Sequence, residues 1–328
     1  MLYTRARIYI RAILLAGFAL YCFAARPAEG AFQENLWGAR PAGLAGAFTA
    51  LADDANAPVY NPAGISQIEH NELTIMYAQL YSGLTLFAGD SGQTSSLNLG
   101  YFSYVPDIKK LNPNIGSFGI SWANFSASNV ATENTFTLTW AHQVPFLQLG
   151  HSDVFFGTNV NYFRHSFVLD SRTQSDPVFA NGNTAGAFGM DLGLLVRPNF
   201  DLLPRLKLGL DLKNINEPDV GLASPDRIPR EVHFGIAYQD EEIPYFTPTV
   251  DFSTRAGVTS MAGGWEGWFA HNTLGARFGA NTDEFGGGLS LQYPFFGKMI
   301  LRLDYSILAP FQVQGSNGTQ RISLSVNF

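Results

Sequence analysis

Cysteine is almost absent from this sequence. The one cysteine, Cys22, lies close to the N-terminus. If that segment is removed on export, no thiol remains for catalysis, metal binding or a disulfide. Charged residues are scarce as well, because they make up 14% of the 328 residues where a soluble globular protein has about 25%. The chain therefore lacks the charged surface of an ordinary soluble protein.

Long apolar runs are missing too. Beyond the N-terminal segment the sequence has no apolar run of the ~18 residues that a transmembrane helix needs. A bundle of transmembrane helices is therefore excluded. Yet 46% of the residues are hydrophobic, and the chain has 27 Phe and 33 Gly. Apolar content that is spread over short segments in this way is typical of strands that face lipid.

An excess of positive charge is also absent, since the formal net charge is −7. Removing residues 1–30 takes away four arginines and one glutamate, which lowers the net charge to −10. Proteins that bind nucleic acid neutralise phosphates with lysine and arginine. We therefore expect no nucleic acid among the partners.

Residues 1–30 have the pattern of a secretory signal peptide. Arg5, Arg7 and Arg11 form a basic start, and residues 12–25 are apolar but too few to span a membrane as a helix. Small residues at positions 28 and 30 predict cleavage near Gly30. A membrane anchor is the alternative. A signal peptide predicts export to the bacterial envelope.

From residue 71 onward, apolar and polar residues alternate in fourteen segments, which indicates β-strands with one apolar and one polar face. In the last of them Ile322, Leu324, Val326 and Phe328 alternate with polar residues. We predict an all-β transmembrane antiparallel β-barrel of about 14 strands, with a soluble β-sandwich as the alternative. The predicted strands are 73–81, 97–105, 118–122, 135–140, 154–162, 188–196, 206–212, 232–238, 250–252, 264–269, 273–281, 289–293, 301–307 and 319–328.

The connections between the predicted strands differ in length at the two ends of the barrel. Alternate connections include the long ones, 82–94, 165–183, 216–229 and 309–318. The connections between them are shorter, as at 145–152, 198–204 and 270–272. Outer-membrane barrels have long loops on one side and short turns on the other. This asymmetry favours the barrel over the sandwich.

The polar faces of the predicted strands carry a balanced set of charges. If the apolar faces contact lipid, five acids and five bases point into the lumen. Unpaired charges are costly in a confined interior, so we expect a salt-bridged, partly filled lumen rather than a wide ion pore. In a sandwich the same residues would lie on a solvated face. The set is Asp191, Lys207, Asp211, Lys213, Asp251, Glu266, Arg277, Arg302, Asp304 and Arg321.

Residues 31–70 do not alternate. Small residues dominate the segment 38–52, which predicts a thin helix from Pro41 that could fit inside a barrel. Asn61 is suited to cap a second short helix that begins at Pro62. We call residues 31–70 the hatch.

The hatch sequence, G-A-R-x-A-x-x-G-A-F-T-A-x-A-D-D-A-N-A-x-x-x-N-P-A-G, resembles the N-terminal region of the FadL-like outer-membrane proteins, and within them the PorV/PorQ-type branch. The segments L-x-A-R-x-G-x-N from Leu274, G-G-L from Gly287, L-D-Y from Leu303 and the C-terminal strand agree with it. The resemblance implies a hatch inside a barrel formed by residues 71–328, and an assembly signal at Phe328. The hatch residues that it singles out are Arg40, Gly43, Gly46, Phe48, Asp53, Asp54, Asn56, Asn61, Pro62 and Gly64.

The resemblance implies passive transport of hydrophobic or amphipathic small molecules, with the hatch as gate. Phe48 and Leu51 could line a pocket, with Arg277 or Arg302 as counter-charge for a carboxylate. The alternative is a PorV-like scaffold for protein secretion or surface attachment. The expected partners are outer-membrane lipid, the barrel-assembly machinery, and either a hydrophobic ligand or a secreted client protein.

Enzymatic signatures are lacking. The histidines are scattered and none lies in a nucleophile motif, so we expect no enzyme, no cofactor and no metal site. The glycine run 286–288 has no lysine behind it and is interpreted as a connection between strands rather than a phosphate loop. The histidines are His70, His142, His151, His165, His233 and His271.

Overall fold

The computed structural model describes residues 31–328, except 34, 85, 89–92, 111, 145–151, 172, 201–202, 204, 240–241 and 314. The predicted signal peptide lies outside the described residues. No helix among the described residues is long and apolar enough to cross a membrane.

Fourteen antiparallel strands close into a barrel, in the order β1-β16-β15-β14-β13-β12-β11-β10-β9-β8-β7-β6-β5-β4. This confirms the predicted fold class. The short strands β2 and β3 pair with each other inside the first long loop. The strands are β1 Glu72–Leu80, β2 Leu86–Ala88, β3 Gln93–Ser95, β4 Leu97–Val105, β5 Ser117–Ala127, β6 Ala131–Gln143, β7 Asp153–Phe167, β8 Thr184–Arg197, β9 Leu206–Lys213, β10 Glu231–Tyr238, β11 Thr247–Arg255, β12 Val258–Phe269, β13 Leu274–Asn281, β14 Glu284–Pro294, β15 Ile300–Pro310 and β16 Thr319–Asn327.

The wall is apolar outside and polar inside, which is the reverse of a soluble protein. In β16, Ile322 is 48% exposed whereas the neighbouring Ser323 is 2% exposed. The barrel closes where β1 pairs with β16, from Glu72 opposite Asn327 onward. A closed wall leaves no strand edge, and its apolar outer face suits a lipid environment.

The two ends of the barrel have different loops. We call one end the long-loop end, because it carries 81–96, 168–183 and 214–230. The other is the terminal end, where β1 begins and β16 ends. The longest connections share one end, as predicted from the sequence. However, the tight turns 256–257 and 282–283 are at that same end, so the asymmetry is only partial.

The hatch lies inside the lumen, and its helices are shorter than predicted. The first, α1, covers Ala39–Gly43 and ends because Ala45 and Gly46 adopt left-handed backbone conformations, with φ of 52° and 89°. The predicted continuation to residue 52 is therefore wrong. A segment of small residues has no wide apolar stripe with which to hold a longer helix against a wall.

The second predicted helix is present as a short 3-10 helix, Pro62–Gln67. Asn61 caps it, because its side-chain oxygen accepts a hydrogen bond from the backbone N–H of Ala63 at 3.1 Å. A further 3-10 turn covers Ala57–Val59, and three more lie in loops, at Ile108–Lys110, Pro113–Ile115 and Pro177–Phe179.

The largest hydrophobic cluster lies between the hatch and the inner wall. Leu44, Phe48 and Ile65 of the hatch are fully buried and pack with Val105 and Ala237 of the wall. The hatch therefore fills this part of the lumen with an apolar core.

Candidate functional site

Arg40 is the centre of a buried ion-pair network that joins the hatch to the wall. Its guanidinium donates from Nε and Nη2 to the two carboxylate oxygens of Glu266, both at 2.8 Å. Its Nη1 donates to Asp53 at 2.6 Å and to Asp54 at 2.9 Å. The side chain of Arg40 is 5% exposed. A bidentate guanidinium–carboxylate pair in such a place is strong and directional.

The network continues along the wall through two further arginines. Arg277 donates to Glu266 at 2.6 Å and to Asp304 at 3.3 Å. Arg302 donates to Asp304 at 2.9 Å and reaches back to the hatch through Asp54 at 2.8 Å. The ion pairs thus form a closed circuit, in which Arg40 and Asp54 belong to the hatch and the other members belong to the wall. We call this circuit the lock.

The pKa values of the two hatch residues of the lock, Arg40 and Asp54, are shifted from their ordinary values. Burial alone would raise the pKa of Asp54, but the positive charges of Arg40 and Arg302 and the N–H of Asn56 lower it to about 2. Burial would likewise lower the pKa of Arg40, but Asp53, Glu266 and Asp54 hold it well above its ordinary value. Both residues are therefore charged at neutral pH, as ion pairing requires.

Backbone groups of the hatch are held separately from the lock. Asp251 of the wall accepts hydrogen bonds from the backbone N–H groups of Phe48, at 2.9 Å, and Thr49, at 2.8 Å. Asn61 donates from its amide to the carbonyl oxygens of Thr49 and Leu194, both at 3.0 Å. These bonds satisfy polar groups that would otherwise be buried without partners.

Glycines on the inner face of the wall let the hatch backbone approach it directly. A side chain at any of them would come within 3.0 Å of a hatch atom, so only glycine fits. They stand opposite one another on neighbouring strands: 157 with 193, 209 with 235, and 264 with 279 and then 286. We call them the glycine belt, which consists of Gly157, Gly193, Gly209, Gly235, Gly264, Gly279 and Gly286.

The run 286–288 therefore belongs to β14 and does not lie between strands, contrary to the sequence interpretation. Its glycines are there because Gly286 meets the carbonyl oxygen of Ala42, and Gly288 lies against Gly43. A side chain at Gly286 would push the hatch away from the wall, whereas one at Gly288 would remain in ordinary contact with Gly43.

All ten charges predicted for the lumen lie on the inner face of the wall. Beyond the lock, Asp191 accepts from the amides of Asn159 at 2.9 Å and Asn161 at 2.7 Å. Lys207 donates to Gln67 of the hatch at 2.7 Å, and Lys213 lies over the ring of Tyr60. Most of these charges are therefore paired with protein groups, which matches the expectation of a salt-bridged, partly filled interior.

Two further members of the lumen set are buried. Arg321 donates to the carbonyl oxygen of Leu36 at 2.8 Å. Asp211 is 1% exposed and stands opposite His233 of the neighbouring strand.

The other hatch residues singled out by the resemblance make contacts within the hatch or with the wall. Asn56 donates to Asp54 from both its backbone and its amide. Asp53 also accepts from Gln239 at 2.8 Å. Gly64 approaches the carbonyl oxygen of Ala52 so closely that a side chain there would overlap it. Pro62 begins the second helix beside Gly193 of the wall.

Several inward charges were missed by sequence reasoning. Glu72 is 1% exposed and lies 3.9 Å from Arg302. Glu231 accepts a hydrogen bond from Arg255 and lies 3.0 Å from His233. All of them lie on the inward parity of their strands, so the alternation contained the signal. They fell at strand starts and ends, where the predicted strands were too short.

Phe48 and Leu51 do not line a pocket, contrary to expectation. Both are fully buried in the hydrophobic cluster. Arg277 and Arg302 are likewise already neutralised by Glu266, Asp304 and Asp54. In this arrangement neither arginine is free to meet the carboxylate of a ligand.

Cavities lie on both sides of the hatch. The long-loop cavity, of about 360 Å³, is lined by residues that include Leu36, Gly46, Met261 and Arg321. The terminal cavity, of about 510 Å³, is lined by Arg40, Asp53, Gln239, Trp268 and Arg302 among others. The lock therefore forms part of the wall of the terminal cavity.

The C-terminal Phe328 lies at the terminal end and is 48% exposed. Its backbone exchanges hydrogen bonds with Asn71, at 3.0 and 3.2 Å. A role as an assembly signal stays a prediction.

The fold of this chain is similar to that of several solved structures. A Pseudomonas aeruginosa FadL homologue is 13% identical, with 91% of this chain and 99% of that chain covered and a TM-score of 0.56. The CymD monoaromatic hydrocarbon channel is 14% identical, with 90% and 98% covered and a TM-score of 0.53. The Ralstonia pickettii toluene transporter TbuX is 11% identical, with 89% and 98% covered and a TM-score of 0.52.

No protein-family model matches the sequence, and no curated protein matches it. At these identities the structural likeness establishes the fold: a closed FadL-like barrel of fourteen strands.

Proposed function

We propose that the protein lies in the bacterial outer membrane and lets hydrophobic or amphipathic small molecules pass when the hatch moves. The observation that carries this proposal is the position of the hatch between the long-loop cavity and the terminal cavity. The solved barrels of the same fold include a monoaromatic hydrocarbon channel and a toluene transporter. The fold alone does not define a function, but the contents of the lumen also support transport.

The lumen suits gated passage better than an open pore. With the hatch in place, the apolar cluster around Leu44 and Phe48 occupies the space between the hatch and the wall. Movement of the hatch would expose these side chains to the lumen, whose wall is otherwise polar. A water-excluding apolar surface would then be offered to a hydrophobic solute only in the open state.

The terminal cavity indicates where such movement would begin. Arg40 and Asp53 line this cavity, and Asp53, which pairs with Arg40, has a side chain that is 17% exposed and so less buried than any acid of the lock. Water entering there meets the ion pairs first, and hydration weakens them. We therefore expect opening to begin at the terminal end, because the ion pairs there can be separated in contact with water.

A disulfide across the hatch and the wall tests the proposal. The ideal Cβ position of Gly43 lies 3.4 Å from the Cα of Gly288, which is compatible with a disulfide. We expect cells with Gly43→Cys/Gly288→Cys to take up N-phenyl-1-naphthylamine slowly when oxidised and at the wild-type rate after reduction. The single-cysteine variants serve as controls, because the described chain has no other cysteine.

Two results would contradict the proposal in different ways. Equal uptake by the oxidised and reduced double variant would show that the hatch does not gate passage. Equal uptake by cells with and without the protein would show that the barrel does not transport the probe. Heat-modifiable migration in gel electrophoresis would confirm that each variant is folded.

One observation favours the alternative, a closed scaffold for a secreted client protein. The glycine belt holds the hatch backbone directly against the wall, which is the geometry of a permanent plug. The long loops 168–183 and 214–230 would then be the docking surface. In that case a client would be recovered with the barrel after mild detergent extraction, and reduction of the Gly43–Gly288 disulfide variant would leave uptake unchanged.

A further inference from the structure

Arg164 stands alone on the outer surface of the barrel. By strand alternation, it is the single Asp, Glu, Lys or Arg that the described strands turn outward, since the others face the lumen. Its side chain is exposed and makes no hydrogen bond or ion pair with the residues that the structure describes. An unpaired cation on a lipid-facing wall is costly. We therefore expect Arg164 to bind an anionic group outside the chain.

Two amide side chains accompany Arg164 at the same level of the wall. The strand register places Asn124, Asn134 and Arg164 side by side on β5, β6 and β7. The oxygen of Asn134 accepts from the indole N–H of Trp122 and from the amide of Asn124, both at 3.0 Å. This orients the amide NH₂ of Asn134, which bonds to none of the described residues, toward an outside acceptor.

Small residues flank this polar group. Gly100 lies next to Asn124 on β4, and Gly186 lies next to Arg164 on β8. The lack of a side chain at Gly100 leaves room on the outer surface beside Asn124, whereas the hydroxyl of Tyr162 fills the space beside Gly186, 2.7 Å from its ideal Cβ position. We call Asn124, Asn134 and Arg164 the polar notch.

An apolar hollow of about 430 Å³ lies directly beneath the polar notch. Its upper edge is a row of aromatic rings in register on adjacent strands: Trp122 opposite Phe136, then Tyr162, then Phe188. Trp122 and Phe136 are stacked, with ring centroids 6.5 Å apart. The floor of the hollow includes Val160. A hydrocarbon chain would fit such a surface.

The depth of the polar notch matches a membrane interface. Asn124 and Arg164 each lie three residues before the long-loop ends of their strands, at Ala127 and Phe167. At about 3.3 Å per residue and a tilt of about 40°, the notch lies about 8 Å below those ends. Aromatic rows and basic residues at this depth anchor proteins to lipid headgroups.

We propose that the polar notch and the hollow form a binding site for a phosphorylated membrane lipid. Arg164 would hold the phosphate through its planar fork of N–H groups, with Asn134 as a second donor. An acyl chain would lie in the hollow against Phe136 and Tyr162. This inference rests on the proposed membrane location and is independent of transport.

Native mass spectrometry of the full-length barrel tests the site. Dioleoylphosphatidylglycerol and dioleoylglycerol share their acyl chains, but only the first has a phosphate. We expect the wild type to retain the phosphorylated lipid more tightly. We expect Arg164→Gln to lower its affinity about tenfold and to leave the weak binding of dioleoylglycerol unchanged. The matched control is Arg230→Gln, an exposed loop arginine at the same end that pairs with Glu217.

Two further variants complete the test. Phe136→Ala should weaken retention of both lipids, because it removes an aromatic wall of the hollow. Arg164→Lys should keep part of the affinity, since it preserves the charge without the fork, and it replaces Arg164→Gln if that variant does not fold. Heat-modifiable migration reports folding and insertion separately from lipid binding.

Several outcomes would overturn the proposal. Equal retention of dioleoylphosphatidylglycerol by the wild type and Arg164→Gln would exclude the notch as the phosphate site. Full displacement of the lipid by inorganic phosphate would show a simple anion site without a chain in the hollow. A dimer mass that is lost in Phe136→Ala would show that the hollow is an interface between two copies of the chain.

Discussion

Replacement of Arg40 by methionine should loosen the hatch while leaving the barrel closed. The side chain gives up four hydrogen bonds of 2.6–2.9 Å to Glu266, Asp53 and Asp54. Removing one partner of a buried ion pair costs about 3–5 kcal/mol. Each carboxylate keeps another partner, so we expect a value near the lower limit, about 3 kcal/mol.

The remaining partners of those carboxylates are visible in the structure. Glu266 keeps Arg277, Asp54 keeps Arg302, and Asp53 keeps Gln239. Methionine covers much of the volume of the arginine stem, so loss of packing is a minor part of the cost.

Hydrogen exchange of the hatch amides measures this effect. Local opening governs exchange of buried amides, so a loss of about 3 kcal/mol predicts roughly 100-fold faster exchange. The informative amides are those of Phe48 and Thr49, which are bonded to Asp251, and of Ala52, which is bonded to Phe48. Amides of the strands should exchange at the wild-type rate.

A double variant and a control make the measurement specific. Arg40→Met/Glu266→Gln should recover part of the protection, because it removes a carboxylate that the single variant leaves underpaired. Arg230→Met, on an exposed loop, should have no effect. Wild-type exchange of the hatch in Arg40→Met would refute the reasoning, and would show that packing against the glycine belt holds the hatch without the lock.

Three further outcomes are expected. Gly286→Ala should increase uptake of an apolar probe by displacing the hatch at Ala42, whereas the adjacent outward Gly287→Ala, with no atom closer than 4.0 Å, should not. Asn61→Ala should destabilise the hatch by about 1–2 kcal/mol through loss of the helix cap, seen as faster exchange of the Ala63 amide. Because the pKa of Asp54 falls from 3.8 to about 2, its contribution is present above pH ~4 and is lost as the pH falls toward 2. Hatch exchange corrected for intrinsic rates should therefore not change between pH 7 and 5, and an increase in that range would contradict the assignment.

The strands were predictable because a single rule governs the wall. Lipid outside and a polar lumen inside force strict alternation, which the sequence displays even at the ends of β16. The rule fails where both faces carry polar or small residues. The strand Thr247–Arg255 was predicted only as 250–252. The prediction was too short because Thr254 faces outward and Pro248 interrupts the apolar face. The ends of that strand were therefore invisible.

The pairing within the lock was not predictable. Arg40 and Glu266 are 226 residues apart, and no local pattern links them. Their contact depends on the shear of the barrel and on where the hatch lies within it. The glycine belt did leave a signal, because Gly209 shares the face of Lys207 and Asp211 on β9. An inward glycine among charges indicates that a backbone, rather than a side chain, occupies the adjacent space.

The glycine belt also limits the order of events in folding. The backbones of the wall and the hatch are in direct contact. A finished barrel would therefore leave no space along which the hatch could slide into the lumen. The hatch directly precedes β1, and β1 forms its seam with β16 at the other end of the chain. A pairing of such long sequence separation is slow and late. The seam is thus the step that encloses the hatch, and the last strand of the barrel also fixes the segment that precedes the first strand.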